Sequence, residues 1–355
     1  MNSNAFLERH PNLYFPDGDI VLAVKEGTIH GSATGDLEKY ILFRVHKFLL
    51  RHHSATFSNF FADANAAPTE VYDGVPLAEM HGDRAKDFAM LLGYLYDPSS
   101  LVFRRHDPDT PLAVSGVIRL ADKYLIEPLH RCLVQQVCED WPTMLNEFDV
   151  QQAEIDALRN LETPAYGLTP DGKPRRLADV VPEPASAILF AQEFGCLQIL
   201  PAAFYRLSLT PVDTHGRKDA PQSLTARWPL LGKENLLRYI HGCQFLHEYR
   251  PNAPEFMCGD CEGIWALEED EDFVHPCHEF IERLFHVVWA PRPSPTHPDP
   301  LRLLAKCVDY EKIPQLSKKH YPQGLCKNCR IVLVEELHEE RKKIWEQLST
   351  AFQLT

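Results

Sequence analysis

Two Cys-x-x-Cys pairs hold the most recognisable chemistry in this sequence: Cys258-Gly259-Asp260-Cys261 and Cys326-Lys327-Asn328-Cys329. Two intervening residues let both sulfurs of a pair turn toward one tetrahedral ion, and four thiolates complete a structural zinc site. Gly259 and Gly324 supply the compliant backbone that such knuckles use. Sixty-four residues separate Cys261 from Cys326, more than a compact zinc ribbon has, so a zinc ion held by all four would tie the start of the C-terminal region to its end. His275, Cys277 and His278 lie between the pairs and are available to replace a ligand. The alternative is that all four are ordinary thiols of a cysteine-rich helical domain. A redox pair fits less well, because neither motif is expected to open a helix after a strand as a thioredoxin-like motif does.

Other reactive groupings are missing from the sequence. It has no Gly-rich phosphate loop, no Gly-x-Ser-x-Gly elbow and no His-Glu-x-x-His zinc-protease motif. The 17 histidines are scattered, and the His52-His53 pair falls in an expected helix where solvation explains it. The expectation is therefore a binding module and not an enzyme.

Composition narrows the setting. The chain has 355 residues, long enough for two or three domains, with 36 basic against 50 acidic residues and a formal charge of −14. That balance argues against general nucleic-acid binding, which needs Lys and Arg to displace phosphate counterions. No apolar run approaches the roughly 20 residues of a membrane span, and Met1 to His10 lacks the basic-then-apolar layout of a signal peptide. The expected location is intracellular, nucleus or cytoplasm, where the ten cysteines would stay reduced.

The elements that must position these groups can be read from periodicity. Asp17-Gly18 leads into a β-rich run, predicting a strand at about 19–25. Residues 26–39, with Gly27, Gly31 and Gly35 among mixed charges, read as a loop; Tyr40 to His46 reads as a second strand, and Val75 to Met80 as a third. Phe48, Leu49, Phe57, Phe60 and Phe61 fall at helical spacings, and Ser54 stands where a second short helix would be capped. Phe88, Leu91, Leu92, Leu95 and Tyr96 form another helical stripe. Val117, Leu120, Ala121 and Tyr124 form the next, and a further helix after Pro128 carries Leu129 to Trp141.

These blocks resemble the BTB/POZ family. Asp19-Ile20-Val21-Leu22 is similar to its opening strand, and Phe43-Arg44-Val45-His46-Lys47-Phe48-Leu49-Leu50 through Phe60-Phe61 to its strand-to-helix signature. Leu91-Leu92-Gly93-Tyr94-Leu95-Tyr96 and Leu120-Ala121-Asp122-Lys123-Tyr124 resemble two later helices in the right order. The flanking wording, His10-Pro11-Asn12-Leu13-Tyr14-Phe15-Pro16-Asp17-Gly18, is similar to BTB-domain proteins of mushroom-forming fungi. The resemblance implies protein association: homo-oligomers, or recruitment of a cullin scaffold by a substrate adaptor of a ubiquitin ligase. A self-associating scaffold or transcriptional cofactor is the alternative, and a metal-dependent enzyme a third. It also implies that Asp19 and Lys47, which match the charged positions of the family's dimer pocket, are interaction residues. The competing view is that Asp19 ends a turn and Lys47 starts a helix.

The expected class is α+β: a small BTB/POZ-like sheet with flanking helices at 10–141, a helical extension at 142–250 with a loop or linker at about 163–184, and a helical cysteine-bearing region at 251–355. Within the extension, Ala191-x-x-Phe194 with Leu200 echoes Ala121-x-x-Tyr124 with Leu129, each a helix followed by a Pro-started second helix. Asn235 to Gly242, 277–290 and 301–308 are further expected helices. Glu335 to Phe352, with Leu337, Ile344, Trp345, Leu348 and Phe352 at helical spacing, is expected to dock and close a domain, or alternatively to bind a partner.

Overall fold

A computed structural model describes residues 5–32, 35–63, 70–101, 103–160, 167–168, 172–173, 175–212, 223–249, 276–289, 299–316 and 324–354. The arrangement is α+β, a five-stranded mixed sheet followed by many helices, in two compact units, Met1–Asp140 and Trp141–Thr355. The second unit holds both the helical extension and the cysteine-bearing region.

In the first unit the strands are β1 (Ala5–Tyr14), β2 (Ile20–Ser32), β3 (Gly35–Val45), β4 (Glu70–Tyr72) and β5 (Val75–Met80), in spatial order β1-β3-β2-β5-β4. Ile20 to Val24 are fully buried, as an unbroken apolar run must be when both faces of its strand are covered. Antiparallel pairing sets Leu22 opposite Phe43 and Ala23 opposite Leu42, and β5 runs parallel on the other side with Val21 opposite Leu77. On one face Val21, Ala23, Tyr40, Leu42 and Leu77 make a core cluster. On the other, Phe43 meets Phe88 with ring centroids 5.5 Å apart.

The hairpin corrects the expectation of a loop at 26–39: β2 and β3 run through it. A bulge between Lys25 and Gly27 absorbs one register slip, and the ladder resumes at Gly27–Lys39 and Ile29–Leu37. Its polar composition suits a solvated ribbon: Lys25 pairs with Glu38 at 2.6 Å, and Lys39 bridges Glu26 at 2.6 Å and Glu8 at 2.9 Å. The residues ahead of Asp19, for which the sequence suggested no element, supply β1, parallel to β3 at the sheet edge.

Helices α1 (Lys47–His53), α2 (Ala55–Ala62), α3 (Ala85–Tyr96), α4 (Thr110–Lys123) and α5 (Glu127–Cys138) complete this unit. Ser54 caps α2 as expected: its Oγ accepts from the Phe57 N–H at 3.1 Å and donates to the Tyr124 carbonyl at 2.5 Å. Phe57 stacks on Tyr124 at 4.4 Å, so the break between α1 and α2 is locked to the break between α4 and α5. At the second break Leu125 adopts φ 53°, and the Ile126 N–H reaches back to the Ala121 carbonyl at 2.8 Å, a Schellman-type ending made with a leucine. The helix started by Pro128's segment ends at Cys138; Trp141 lies beyond it, because the Asp140 N–H turns to the Val137 carbonyl, three residues back, at 3.3 Å.

The second unit contains α6 (Leu145–Arg159), α7 (Pro184–Phe194), α8 (Leu200–Ser208), α9 (Lys233–Glu248), α10 (Pro276–Val288), α11 (Pro300–Val308) and α12 (Lys327–Ala351). Helix α8 is buried all round from Ala202 to Ser208, the pattern of a helix at the centre of a bundle. Its Arg206 bonds Gln151 at 2.9 Å, and burial lowers the guanidinium pKa to about 10. The echo of α4–α5 reappears at α7–α8, where Gly195 (φ 74°) takes the left-handed position. Leu177, Val181 and Ile155 pack together, and Glu183 caps α7 through the Ala185 and Ser186 N–H groups, so the end of the expected 163–184 linker belongs to the core. Helix α12 begins at Lys327, well before Glu335, and buries Leu333, Leu337, Ile344 and Leu348 as a docking helix does.

Candidate metal centre

Helix α12 starts at its cysteine pair. Cys326 is the N-cap residue, and its Sγ accepts from the Cys329 N–H at 3.4 Å, the bond that an Asp or Ser cap makes with oxygen. The Cys326 N–H in turn donates to Cys277 Sγ at 3.4 Å, across 49 positions of sequence. Cys277 lies at the start of α10. Pro276 opens that helix, so the side chain after it issues from the first turn toward the start of α12.

Cys277, Cys326 and Cys329 converge: their sulfurs all lie within 4.8 Å of one another, with Cys277 and Cys329 buried and Cys326 half-buried. This group could hold a metal ion. For Zn–S bonds of about 2.3 Å, a tetrahedral site has sulfurs about 3.8 Å apart, so modest side-chain rotation would close the trio onto an ion. Leu325 packs against Cys277 and Cys329. The sulfurs receive backbone N–H groups, and the positive end of α12 lies beside them, a setting that tolerates negative charge.

The trio differs from the set expected from the sequence. Cys258, Cys261 and His275 lie outside the described residues. Cys277, which the sequence offered only as a replacement ligand, stands beside Cys326 and Cys329, while His278 faces Glu282 at 3.9 Å. Spacing could not reveal this, because Cys277 has no cysteine three residues away. The Cys326 pair opens a helix, but among the described residues the element before it is the 3-10 turn Pro314–Leu316 and not a strand. Of the remaining described cysteines, burial pushes Cys307 up to about 12 and Cys243 to about 11, the latter against the lowering effect of its hydrogen bond with Tyr239.

The two interaction candidates of the first unit meet, but not as a charge pair. The Asp19 carboxylate accepts the backbone N–H of Lys47 at 2.7 Å, capping α1 from a distance, because the N-cap residue His46 contributes no side-chain bond. The Lys47 ammonium lies 6.0 Å from the Phe61 ring. His46 is engaged too, its Nδ1 2.9 Å from the Tyr96 hydroxyl and its Nε2 3.4 Å from Asp17. Phe57 is buried, so it is not available to a partner, whereas Phe48 is 77% exposed.

A cavity of about 470 Å³ beside α11 has charged walls, but Arg302 pairs with Asp156 at 3.1 Å and Lys312 with Asp309 at 2.6 Å, so its charges are satisfied internally. No described helix is long and apolar enough to cross a membrane. No protein-family model matches the chain, and no curated protein matches it.

Proposed function

We propose that this chain is a protein-association module: a BTB/POZ-type unit that contacts a partner, joined to a helical unit held by a structural zinc ion. The observation that carries the reading is Leu125. It sits in the left-handed region at φ 53° with 65% of its surface exposed, so it costs about 1 kcal/mol of backbone strain and adds little to the core. Gly195 occupies the corresponding break in the second unit without that cost. An exposed leucine at a position where glycine is easier is our candidate contact residue.

Ser54 and Thr56 bond the carbonyls of Tyr124 and Lys123, which places Leu125 beside the α1–α2 junction, and exposed Phe48 is on the helix leading into it. The order of elements, three strands, two short helices, two strands and three helices, also supports the BTB/POZ reading. Within it, Asp19 and Lys47 are our interface candidates, and recruitment of a cullin scaffold as a ubiquitin-ligase adaptor is the specific role. Self-association as a scaffold is the second reading. We take the chain to be a binding module and not an enzyme, with zinc bound for structure.

Light scattering of the purified chain, alone and with cullin scaffolds, separates these. The adaptor reading expects a complex that Phe48→Asp and Leu125→Asp each weaken at least about tenfold. A dimer with no cullin complex supports the scaffold. A monomer that binds no scaffold and is unaffected by either change overturns both.

A further inference from the structure

We infer that Cys277 is a ligand to the same ion as Cys326 and Cys329, so that the metal staples the start of α10 to the start of α12, and the Cys258/Cys261 pair fills at most one coordination position. This rests on the zinc reading above and replaces the symmetric two-pair site that sequence spacing suggests.

Three observations carry it. The sulfurs of these residues lie within 4.8 Å of one another, a convergence that two N–H···S bonds help to orient. Two of the three are buried, Cys277 5% and Cys329 2% exposed, and Cys326 is half-buried. Soft sulfur donors are the preferred ligands of zinc, and three of them converge here beside the positive end of α12. Finally, a structural zinc ion has four positions, and three thiolates leave one.

The site also links parts of the chain that nothing local would join. Residues 277 and 326 are 49 positions apart, and α10 and α12 begin at them. A metal there constrains the closed loop as a cross-link does, and its binding energy becomes folding energy for this end of the helical unit.

The test uses the full chain. Zinc content is measured after purification and reconstitution, affinity by competition with a chelator, and ligand count by thiolate-to-cobalt charge-transfer absorbance after cobalt substitution. We expect one zinc per chain. Cys277→Ser, Cys326→Ser and Cys329→Ser should each weaken binding by about 100-fold or more, while Cys258→Ser or Cys261→Ser, at least one of them, should leave it unchanged. Cys277→His, which retains a ligand atom, should restore zinc binding and shift the cobalt spectrum, a readout that also holds if the serine variant fails to fold. Failure of the wild type to bind zinc overturns the zinc reading itself. Zinc retained in Cys277→Ser but lost in both Cys258→Ser and Cys261→Ser overturns only the ligand assignment.

Discussion

The two units bury their cores around different centres. In the first, the centre is β2, whose Ile20 to Val24 are covered on both faces and whose position is dictated by backbone ladders to β3 and β5. In the second it is α8, which has no ladder to hold it and depends on how side chains of α6, α7, α9 and α12 fit around it. A strand's register changes only in whole residues, and a slip turns every side chain to the wrong face. A packed helix can shift or rotate by smaller steps, so its place is determined by shape and by a few directed polar bonds. The helical unit should therefore be the more sensitive to single changes, and a metal staple has more to contribute there.

The largest expected effect probes that dependence on shape. A Cβ added to Gly242 on α9 would stand 1.9 Å from the Phe352 ring, so α9 and the end of α12 meet only because residue 242 has no side chain. Phe352→Ala should cost the second unit about 3–5 kcal/mol and Gly242→Ala about 1–3 kcal/mol. In the double variant the new methyl group occupies part of the emptied space, so the combined loss should fall short of the sum by at least about 1 kcal/mol in urea unfolding. Strict additivity would show that the ring and the glycine do not share one space.

Directed polar bonds come next. The Arg341 guanidinium makes a bidentate pair with Asp149 and donates to the Leu301 carbonyl at 3.1 Å, joining α12 to α6 and α11. Arg341 is buried but Asp149 is 43% exposed, so solvent screens part of the pair. Arg341→Met should cost about 2 kcal/mol in the same urea experiment, less than the loss of a fully buried pair. A cost below about 0.5 kcal/mol would mean that packing alone places α12.

A smaller loss is expected from Ser54→Ala in the first unit. One hydroxyl satisfies both the Phe57 N–H and the Tyr124 carbonyl, and removing a cap costs about 1 kcal/mol with a further fraction for the stranded carbonyl. Exchange protection of the Phe57 amide, read by NMR, should fall while that of β2 stays unchanged. Equal loss in both would show that the helix pair and the sheet open together.

The smallest effect is a pH slope. Burial raises the Asp140 carboxyl to about 6, while the His106 N–H and Arg105 pull it down and Glu139 and Asp107 push it up. Unfolded aspartate titrates near pH 4, so between about pH 4 and 6 the folded state holds a proton that the unfolded state releases. Stability of the first unit should therefore fall as pH rises through that window and be level below it. Thermal melts at pH 4.5 and 7 should differ less in Asp140→Asn; an unchanged difference would assign the slope to another group.

Legibility in the sequence followed the reach of each interaction. The strand at 20–24, the strand at 75–80 and the Ser54 cap were readable because period or capping residue acts within a few positions. The 26–39 hairpin was not: its glycines and charges look like a loop until Lys25 finds Glu38 and Lys39 finds Glu26 and Glu8 across the ladder. Helix α6 was hidden because its apolar stripe, Leu145, Phe148 and Ile155, is completed by the buried amide of Gln151, which is legitimate only opposite Arg206.

The candidate metal site shows the same division within three residues. Local spacing alone identifies Cys326 and Cys329 as sulfurs that can face one ion, because two intervening residues and a helix start bring them together whatever the rest of the chain does. Cys277 carries no such mark. It joins them because α10, α11 and α12 pack so that the first turn of one helix meets the first turn of another, 49 residues later. A pair that closes through its own backbone is written in the order of residues, whereas a third sulfur brought in by helix packing depends on every contact that seats those helices.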